Sequence, residues 1–453
     1  MTRAVTVVDL GFGDAGKGAL VDGLVARHRA ELVVRFNGGA QAGHTVVTPE
    51  GRSHTFSQLG AGSFRPGTQT LLARHVVVHP GALLFEARHL EEQGVASPLA
   101  RLAIARRALL STPWHQLLGR ARELLRGAAR HGSCGVGVGE ARRAHLEDPS
   151  ASLFAKDLTD PARLHRLLNQ GREAARELAR TELAALRDDE AGREVLRTLD
   201  DPEVNRRTVE LFSHVARAVR LLDEEGVRRL VTFGEQLVLE GAQGVLLDED
   251  FGFHPYTTWS RTTFAHADEL LDEVGFEGAR VRLGVLRTYG VRHGPGPFPS
   301  EDAQLAAALP EPHNAAGPWQ GEFRVGWCDL VAARYAVAAC GGIDGLWVSH
   351  ADRVAQLWRP AACVAYVEPT GERLVDLPLL EPSDASDVHL EALTRLGERV
   401  GRCQPILEDL SGFGRAEDFV AAMASRVGVP LAGVSWGPTR QEQRPVDERL
   451  GNP

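Results

Sequence analysis

Two short stretches carry residues whose types and spacing suit phosphoryl chemistry. The first is Gly11-Phe12-Gly13-Asp14-Ala15-Gly16-Lys17-Gly18. Its glycines let backbone N–H groups approach an anion, and a helix starting there adds positive potential. The spelling meets two templates in part. It contains G-x-G-x-x-G, and it contains G-x-x-x-x-G-K with Gly18 where a phosphate loop has Ser or Thr. A purely structural turn between strand and helix is the alternative to both. Lys17 is one of only two lysines, with Lys156, among 51 Lys and Arg residues. A lysine kept in this loop points to a compact charge on a phosphate. Asp14 would repel that phosphate unless a metal bridges the two or the carboxylate has a proton of its own to remove. The second stretch is Asn37-Gly38-Gly39-Ala40-Gln41-Ala42-Gly43-His44-Thr45. His44, set between a glycine and a threonine, is a candidate acid or base near neutral pH.

The elements that must position these groups are readable beside them. Val5 to Leu10 is an apolar run that predicts a buried strand, and Ala19 to Val25 is apolar at helical spacing. Glu31 to Phe36 predicts a second strand. In a parallel sheet, turns at the carboxyl ends of neighbouring strands face one crevice, which brings His44 near Asp14. The expected class is α/β: a mainly parallel central sheet with flanking helices and a P-loop-like phosphate site. A chain of 453 residues can bury a large core, and 1–453 reads as one domain. Leu153 to Val231, rich in Arg, Glu, Leu and Ala, predicts a helical subregion inserted in the middle. Arg444 to Pro453 reads as a polar tail. A net charge of −9 argues against general nucleic-acid binding. Five scattered cysteines without C-x-x-C argue for a reducing compartment and against a zinc site or disulfide framework. No signal-like start or long apolar run is present, so the expectation is a cytoplasmic protein that does not engage a membrane.

Later residues can be read the same way. Gln243 lies between Ala242 and Gly244 after the apolar strand Leu237 to Leu239; small neighbours admit a planar ligand, and the amide both donates and accepts. A strand-end turn is the plain alternative. Gly294-Pro295-Gly296-Pro297-Phe298-Pro299 is a rigid loop, equally readable as architecture or as a ligand contact. Gly341 to Ser349 reads as turn then strand, and it delivers His350-Ala351-Asp352 at a carboxyl end. That carboxylate could accept two N–H groups of a guanine edge, or be a surface turn.

Together the blocks resemble the adenylosuccinate synthetase family. The resemblance runs from Gly13-Asp14-x-Gly16-Lys17-Gly18 and Arg35 to Thr45 through His75 to Leu83 and Glu240 to Asp248. It continues in His254-Pro255-Tyr256-Thr257-Thr258, Thr262-Thr263, Leu283 to Pro299, Val325 to Asp329 and Ser435-Trp436-Gly437-Pro438-Thr439-Arg440, in family order. It implies an ATP- or GTP-dependent ligase. The 6-oxygen of IMP or a related 6-oxopurine nucleotide is phosphorylated, then displaced by the amine of L-aspartate. By the same resemblance Asp14 matches the base, His44 the acid, and Asp14 with the Gly43 carbonyl the Mg2+ ligands. Gly13, Gly16, Lys17, Gly18, Gly43, His44 and Thr45 match triphosphate contacts; Asp352, Ser435 and Gly437 match contacts to its base. Asp14, Lys17, Gln41, His44, Cys134, Gln243 and Thr258 fall where the purine monophosphate is held. Family members resemble homodimers in which a partner arginine reaches the site, and Arg142 or Arg143 lies in that region.

Several positions depart from the pattern. Ala15 follows the aspartate, His350 stands where the guanine motif has lysine, and Ser133-Cys134-Gly135-Val136-Gly137 replaces Thr-Thr-Gly-Arg-Gly. Thr55 to Gly62 replaces Leu-Pro-Ser-Gly. The aspartate loop reads Asn314 to Trp327, and of its arginine run only Arg324 is left to contact the amine substrate. The reading is a divergent paralogue that keeps the phosphoryl-transfer half. The alternatives are a ligase for another amine or a modified purine, a catalytically silent nucleotide-binding regulator, and a phosphatase or kinase without an amine acceptor.

Overall fold

A computed structural model describes residues 2–311, 314, 319–382, 386–410 and 415–447. Residues 315–318 of the altered loop and 448–453 of the expected polar tail lie outside them.

The core is a ten-stranded sheet. Its strands are β1 (Arg3–Asp9), β2 (Leu32–Arg35), β3 (Gln69–Leu72), β4 (Leu102–Ala105), β5 (Arg220–Leu222), β6 (Gln236–Glu240), β7 (Ala279–Arg287), β8 (Gly345–Ser349), β9 (Leu431–Ser435) and β10 (Gln443–Pro445). The spatial order is β10-β9-β8-β7-β1-β6-β2-β3-β4-β5. All neighbours run parallel except β9 and β10. Interior strands such as Ala4-Val5-Thr6-Val7-Val8 are apolar on both faces because helices cover both. One face packs on the helices Lys17–His28 and Pro80–Glu92, through Leu20, Val21, Leu24, Leu83 and Leu90. The other packs on Leu330–Ala339 and Ala416–Val427, through Val331, Tyr335, Phe419 and Met423.

The mainly parallel sheet with flanking helices agrees with the sequence reading. β1 starts two residues earlier than the apolar run and stops at Asp9, where the chain turns into the glycine loop. The predicted helical stretch contains the helices Pro161–Arg180, Glu190–Asp200, Val204–Ala218 and Glu224–Phe233. Three of them start on an aspartate whose carboxylate accepts a first-turn N–H: Asp160 from Arg163, Asp189 from Gly192, Asp223 from Gly226. Helical periodicity gave no sign of β5, three residues inside this stretch that pair with β4 at the sheet edge. Among the described residues no helix is long and apolar enough to cross a membrane.

A smaller sheet leans on this core. Tyr289–His293 pairs antiparallel with Phe323–Asp329, which runs parallel to Ala361–Val367. It carries Arg292, His293 and Arg324.

The sheet order reverses direction around β1, flanked by β6 and β7. The carboxyl ends of β1, β2, β6, β7, β8 and β9 therefore open into one crevice, as the geometry of doubly wound sheets requires. The turn after β6 seals against the glycine loop after β1. A Cβ on Gly244 would overlap the Gly11 carbonyl and the Gly13 N–H, so only glycine allows this approach. Gly244→Ala should cost about 1–3 kcal/mol in urea unfolding and push the two turns apart; an unchanged midpoint would show that the loops are not held together here.

Candidate active site

The crevice is a cavity of about 1140 Å³, and its floor is the glycine loop. Asp9, at the end of β1, shapes that loop. One carboxylate oxygen accepts the Gly11 N–H at 2.8 Å; the other accepts the Ala15 N–H at 2.8 Å and the Lys17 ammonium at 3.0 Å. Both side chains are buried, at 0% and 2% exposure. Lys17 is thus held inside the loop by a carboxylate, where the sequence suggested a charge kept only for phosphate. Asp14 is left at the apex with φ 61°, a left-handed backbone that a short polar side chain tolerates. Its carbonyl accepts from Arg287 at 3.2 Å, and Arg287 also pairs with Glu311 and Tyr289. The Asp14 carboxylate lies 3.2 Å from His293 Nε2. Burial would raise its pKa, but the His293 hydrogen bond and the charges of His293, Lys17 and Arg287 outweigh burial and hold it below the usual carboxylate range. Asp14 is ionised at neutral pH, as a base or a metal ligand must be.

His44 opens the short strand His44–Val47 after the second glycine stretch. Its Nδ1 lies 2.6 Å from Glu240 Oε1 at the end of β6, and the other Glu240 oxygen accepts the Ala61 N–H at 3.0 Å. Both side chains are buried. Burial, then the nearby Arg35 charge, lowers His44 to about 4 against the opposing pull of Glu240. Arg35 and His44 hold Glu240 below its ordinary value despite burial. The ionised Glu240 thus accepts a hydrogen bond from Nδ1–H and leaves Nε2 as the unprotonated nitrogen. His44 also explains Gly18: a Cβ there would lie 2.8 Å from the His44 carbonyl carbon. The Ser or Thr of a P-loop has no room.

One wall, the expected purine wall, comes from the turns after β2 and β6. Asn37 stitches them together, donating to the Ala242 and Arg261 carbonyls at 3.2 and 3.0 Å and accepting the Ala242 N–H at 2.8 Å. Gln243 sits at φ 58°, with both amide atoms buried and unpartnered, and the Gln41 Oε1 is likewise unpartnered. Buried amides without partners are the mark of a site that expects a ligand. Cys134 and Thr258 line the same cavity. Burial pushes the Cys134 thiol up to about 11, so it stays protonated. At the far end Asp352 follows β8 on the turn Ala351–Gln356, and Ser435 and Gly437 follow β9. The Ser435 hydroxyl accepts from the Trp347 indole at 2.9 Å.

Gly13, Asp14, Gly16, Lys17, Gly18, Gln41, Gly43, His44, Thr45, Cys134, Gln243, Thr258, Asp352, Ser435 and Gly437 all line this cavity. Arg324, expected to contact the amine substrate, is not among its lining residues. Its guanidinium donates to the Gly294 and Gly296 carbonyls at 3.2 and 2.9 Å and pairs with Glu301. It is spent on holding the Gly-Pro loop. Arg292, which does line the cavity, is similarly engaged with the Pro295 and Pro297 carbonyls, 4.0 Å over the Phe12 ring. Arg143 lines the cavity within its own chain, 3.9 Å from Glu140, and Arg142 lies 3.8 Å from Glu249. Sequence reasoning passed over Asp9, Glu240, Asn37, Arg287 and His293. Asp9 and Glu240 share a readable signal: each is an acid ending an otherwise apolar strand.

The family model for adenylosuccinate synthetase matches residues 6–444. An adenylosuccinate synthetase of Mycolicibacterium vanbaalenii is 31% identical over 458 residues, covering 97% of each chain. That of Anaeromyxobacter sp. is 32% identical over 444 residues, covering 96% of each. A solved, fully ligated adenylosuccinate synthetase from Plasmodium falciparum superposes with a TM-score of 0.75 at 21% identity, over 98% of this chain and 99% of that one. A cyanophage S-2L succinoaminodeoxyadenylate synthetase (PurZ) bound to dGMP and dATP gives 0.61 at 18% identity, over 100% and 97%. These two structures show a shared fold.

Two measurements test the site's electrostatics. The His44 ring protons, followed by NMR in the free protein, should titrate near 4, and lower still in Glu240→Gln, which removes the charge favouring imidazolium; a midpoint at or above the ordinary 6.5 in the wild type would overturn the buried, neutral assignment. Asp9→Asn leaves Lys17 buried without a counter-charge and should lose about 3–5 kcal/mol of stability, read as a fall in the urea midpoint.

Proposed function

The chain belongs to the adenylosuccinate synthetase family, and from that premise we propose how its own residues perform the family reaction. It is a purine-nucleotide ligase that forms a C–N bond: the 6-oxygen of IMP is activated by a nucleoside triphosphate and displaced by the amine of L-aspartate, giving adenylosuccinate. One observation carries the assignment of roles. An ionised Asp14 and a His44 backed by Glu240 line the same cavity, beside Gln243, whose amide atoms lack protein partners, and Gln41, whose Oε1 lacks one.

Gln243 and Gln41 bind the purine nucleotide, supported by their unpartnered amide atoms. Asp14 removes the N1 proton, so that negative charge reaches the 6-oxygen and makes it a nucleophile toward the γ-phosphorus. The backbone N–H groups of Gly13, Gly16 and Gly18 and the Lys17 ammonium face the triphosphate chain. His44, fixed by Glu240, directs Nε2 at the transferring phosphoryl group. In the free enzyme that nitrogen is bare; a bound polyanion favours imidazolium and converts it into a donor. The aspartate amine then attacks C6 and phosphate leaves. The Asp14 carboxylate and the Gly43 carbonyl would hold Mg2+, both being hard oxygen donors, and that ion supplies charge neutralisation between the phosphates. Asp352, Ser435 and Gly437 face the base of GTP or ATP. The functional unit is residues 1–453 as one domain, acting as a homodimer.

Arg324 favours a second reading for the amine alone. With that guanidinium held by Gly294, Gly296 and Glu301, another amine takes the place of L-aspartate in this reading, without change to the activation half.

The deciding assay measures phosphate release with Mg2+, IMP and GTP or ATP, with and without L-aspartate, while ultraviolet absorbance reports an N6-substituted purine. Aspartate-dependent release with that product is expected. Release without it would select the second reading, and absence of release with either triphosphate would overturn both. Asp14→Asn and His44→Asn should each lower kcat about 10²–10⁴-fold; either variant retaining wild-type turnover would remove that residue from the mechanism.

A further inference from the structure

We propose that His75, His266 and Glu269 form a second metal site, separate from the cavity and selective for a divalent transition ion such as Zn2+. One ligand atom from each lies within 4.8 Å of the others. His266 and Glu269 are one turn apart on the helix Ala265–Glu273, so they share a face. His75 comes to them from the chain leaving β3. None of the three has a role in the reaction, and none lines the active cavity.

The cluster shows a conflict that an ion resolves. His75 Nε2 lies 2.7 Å from a Glu269 oxygen and 3.0 Å from Arg74 Nε. An arginine N–H only donates and an ionised carboxylate only accepts. One ring nitrogen cannot be donor to Glu269 and acceptor from Arg74 at once. His266 is 6% exposed, and its Nδ1 is buried without a hydrogen-bond partner. Its ring stacks on His75 with centroids 3.7 Å apart and planes 3° apart. With an ion present, both imidazoles give it a lone pair and Glu269 gives it the carboxylate oxygen that faces His75; Arg74, which pairs with the other Glu269 oxygen and with Glu273, keeps those two partners.

The donor set selects the ion. Two imidazoles and one carboxylate suit Zn2+ or Co2+, whereas Mg2+ prefers oxygen alone. Burial lowers both histidines; for His266, His75 and the charges of Arg261, Arg142 and Arg74 add to it, taking the ring to about 2. Both rings are therefore already in the neutral form that a metal needs. Donors around tetrahedral zinc lie about 3.4 Å apart, so the three atoms must draw together and the stacked rings must tilt. Glu269, 42% exposed, has the freedom to move first, and water completes the sphere.

Occupancy would brace the cavity from behind. His75 leads into Val77, whose N–H donates to the Gly38 carbonyl at 2.8 Å. The helix bearing His266 follows Thr262 and Thr263, which hold the Asp248 carboxylate below the Gln243 turn. An ion there ties the two turns of the purine wall together.

The test uses full-length protein stripped with chelator and titrated with Co2+ and Zn2+. One Zn2+ per chain by calorimetry is expected, in the wild type and equally in Asp14→Asn, which disables the proposed Mg2+ site. Co2+ should give visible d–d absorption without thiolate charge-transfer bands. Glu269→Gln, at a half-exposed position, and His75→Gln should each weaken binding at least about tenfold. They should also abolish the rise in unfolding temperature that Zn2+ gives the wild type, with circular dichroism unchanged. No stoichiometric binding, binding that survives both substitutions, or a thiolate spectrum would overturn the site.

Discussion

Much of this structure depends on one buried carboxylate. Asp9 accepts two loop N–H groups and the Lys17 ammonium, so a single side chain fixes both ends of an eight-residue turn. An unpaired charge at that depth would be costly, and a glycine-rich loop without internal side-chain contacts has little else to hold it. The pair settles where the helix Lys17–His28 begins and which way its N–H groups point. It also presents Asp14 in a left-handed conformation at the loop apex. Lys17 therefore serves the fold and the ligand together: it neutralises Asp9 while its charge helps keep Asp14 ionised.

The same device recurs one strand away. Glu240 ends β6 as Asp9 ends β1, and it too divides its oxygens between a backbone N–H and a cationic or protonatable partner. Parallel strands end with their carbonyls and following turns on one side of the sheet, so acids at those ends meet in the crevice. Each shapes a turn, and Glu240 also favours the protonated form of His44. The two glutamines, held by tight turns yet lacking partners of their own, complete a surface whose polar groups are prepared in advance.

What was legible in the sequence follows from range. The glycine loop, His44 and the turn after β6 are local patterns: the chemistry and its geometry lie within ten residues. The parallel sheet followed from apolar runs bounded by glycine turns. Contacts between distant segments were not legible. Nothing near Glu240 says that it meets His44, and nothing near His293 says that it meets Asp14. The bonds of Arg324 were hidden for the same reason. An arginine beside Gly326-Trp327 suggests a substrate clamp, yet the carbonyls that hold it come from Gly294 and Gly296 across a strand pair. The edge strand β5 was hidden because three residues are too few to break helical periodicity.

The crevice is assembled by separate strand ends, and its groups differ in how deeply they are bound into the core. Asp9, Lys17, His44 and Glu240 are buried and interlocked; altering one strands another. The segment around Arg324 is fastened to the Gly-Pro loop and Glu301 and, among the described residues, shares no side-chain hydrogen bond with the glycine loop. The first set can change only in concert, while the second can change piece by piece. A lineage carrying this scaffold can thus remodel the Gly-Pro side of the crevice without disturbing the glycine loop.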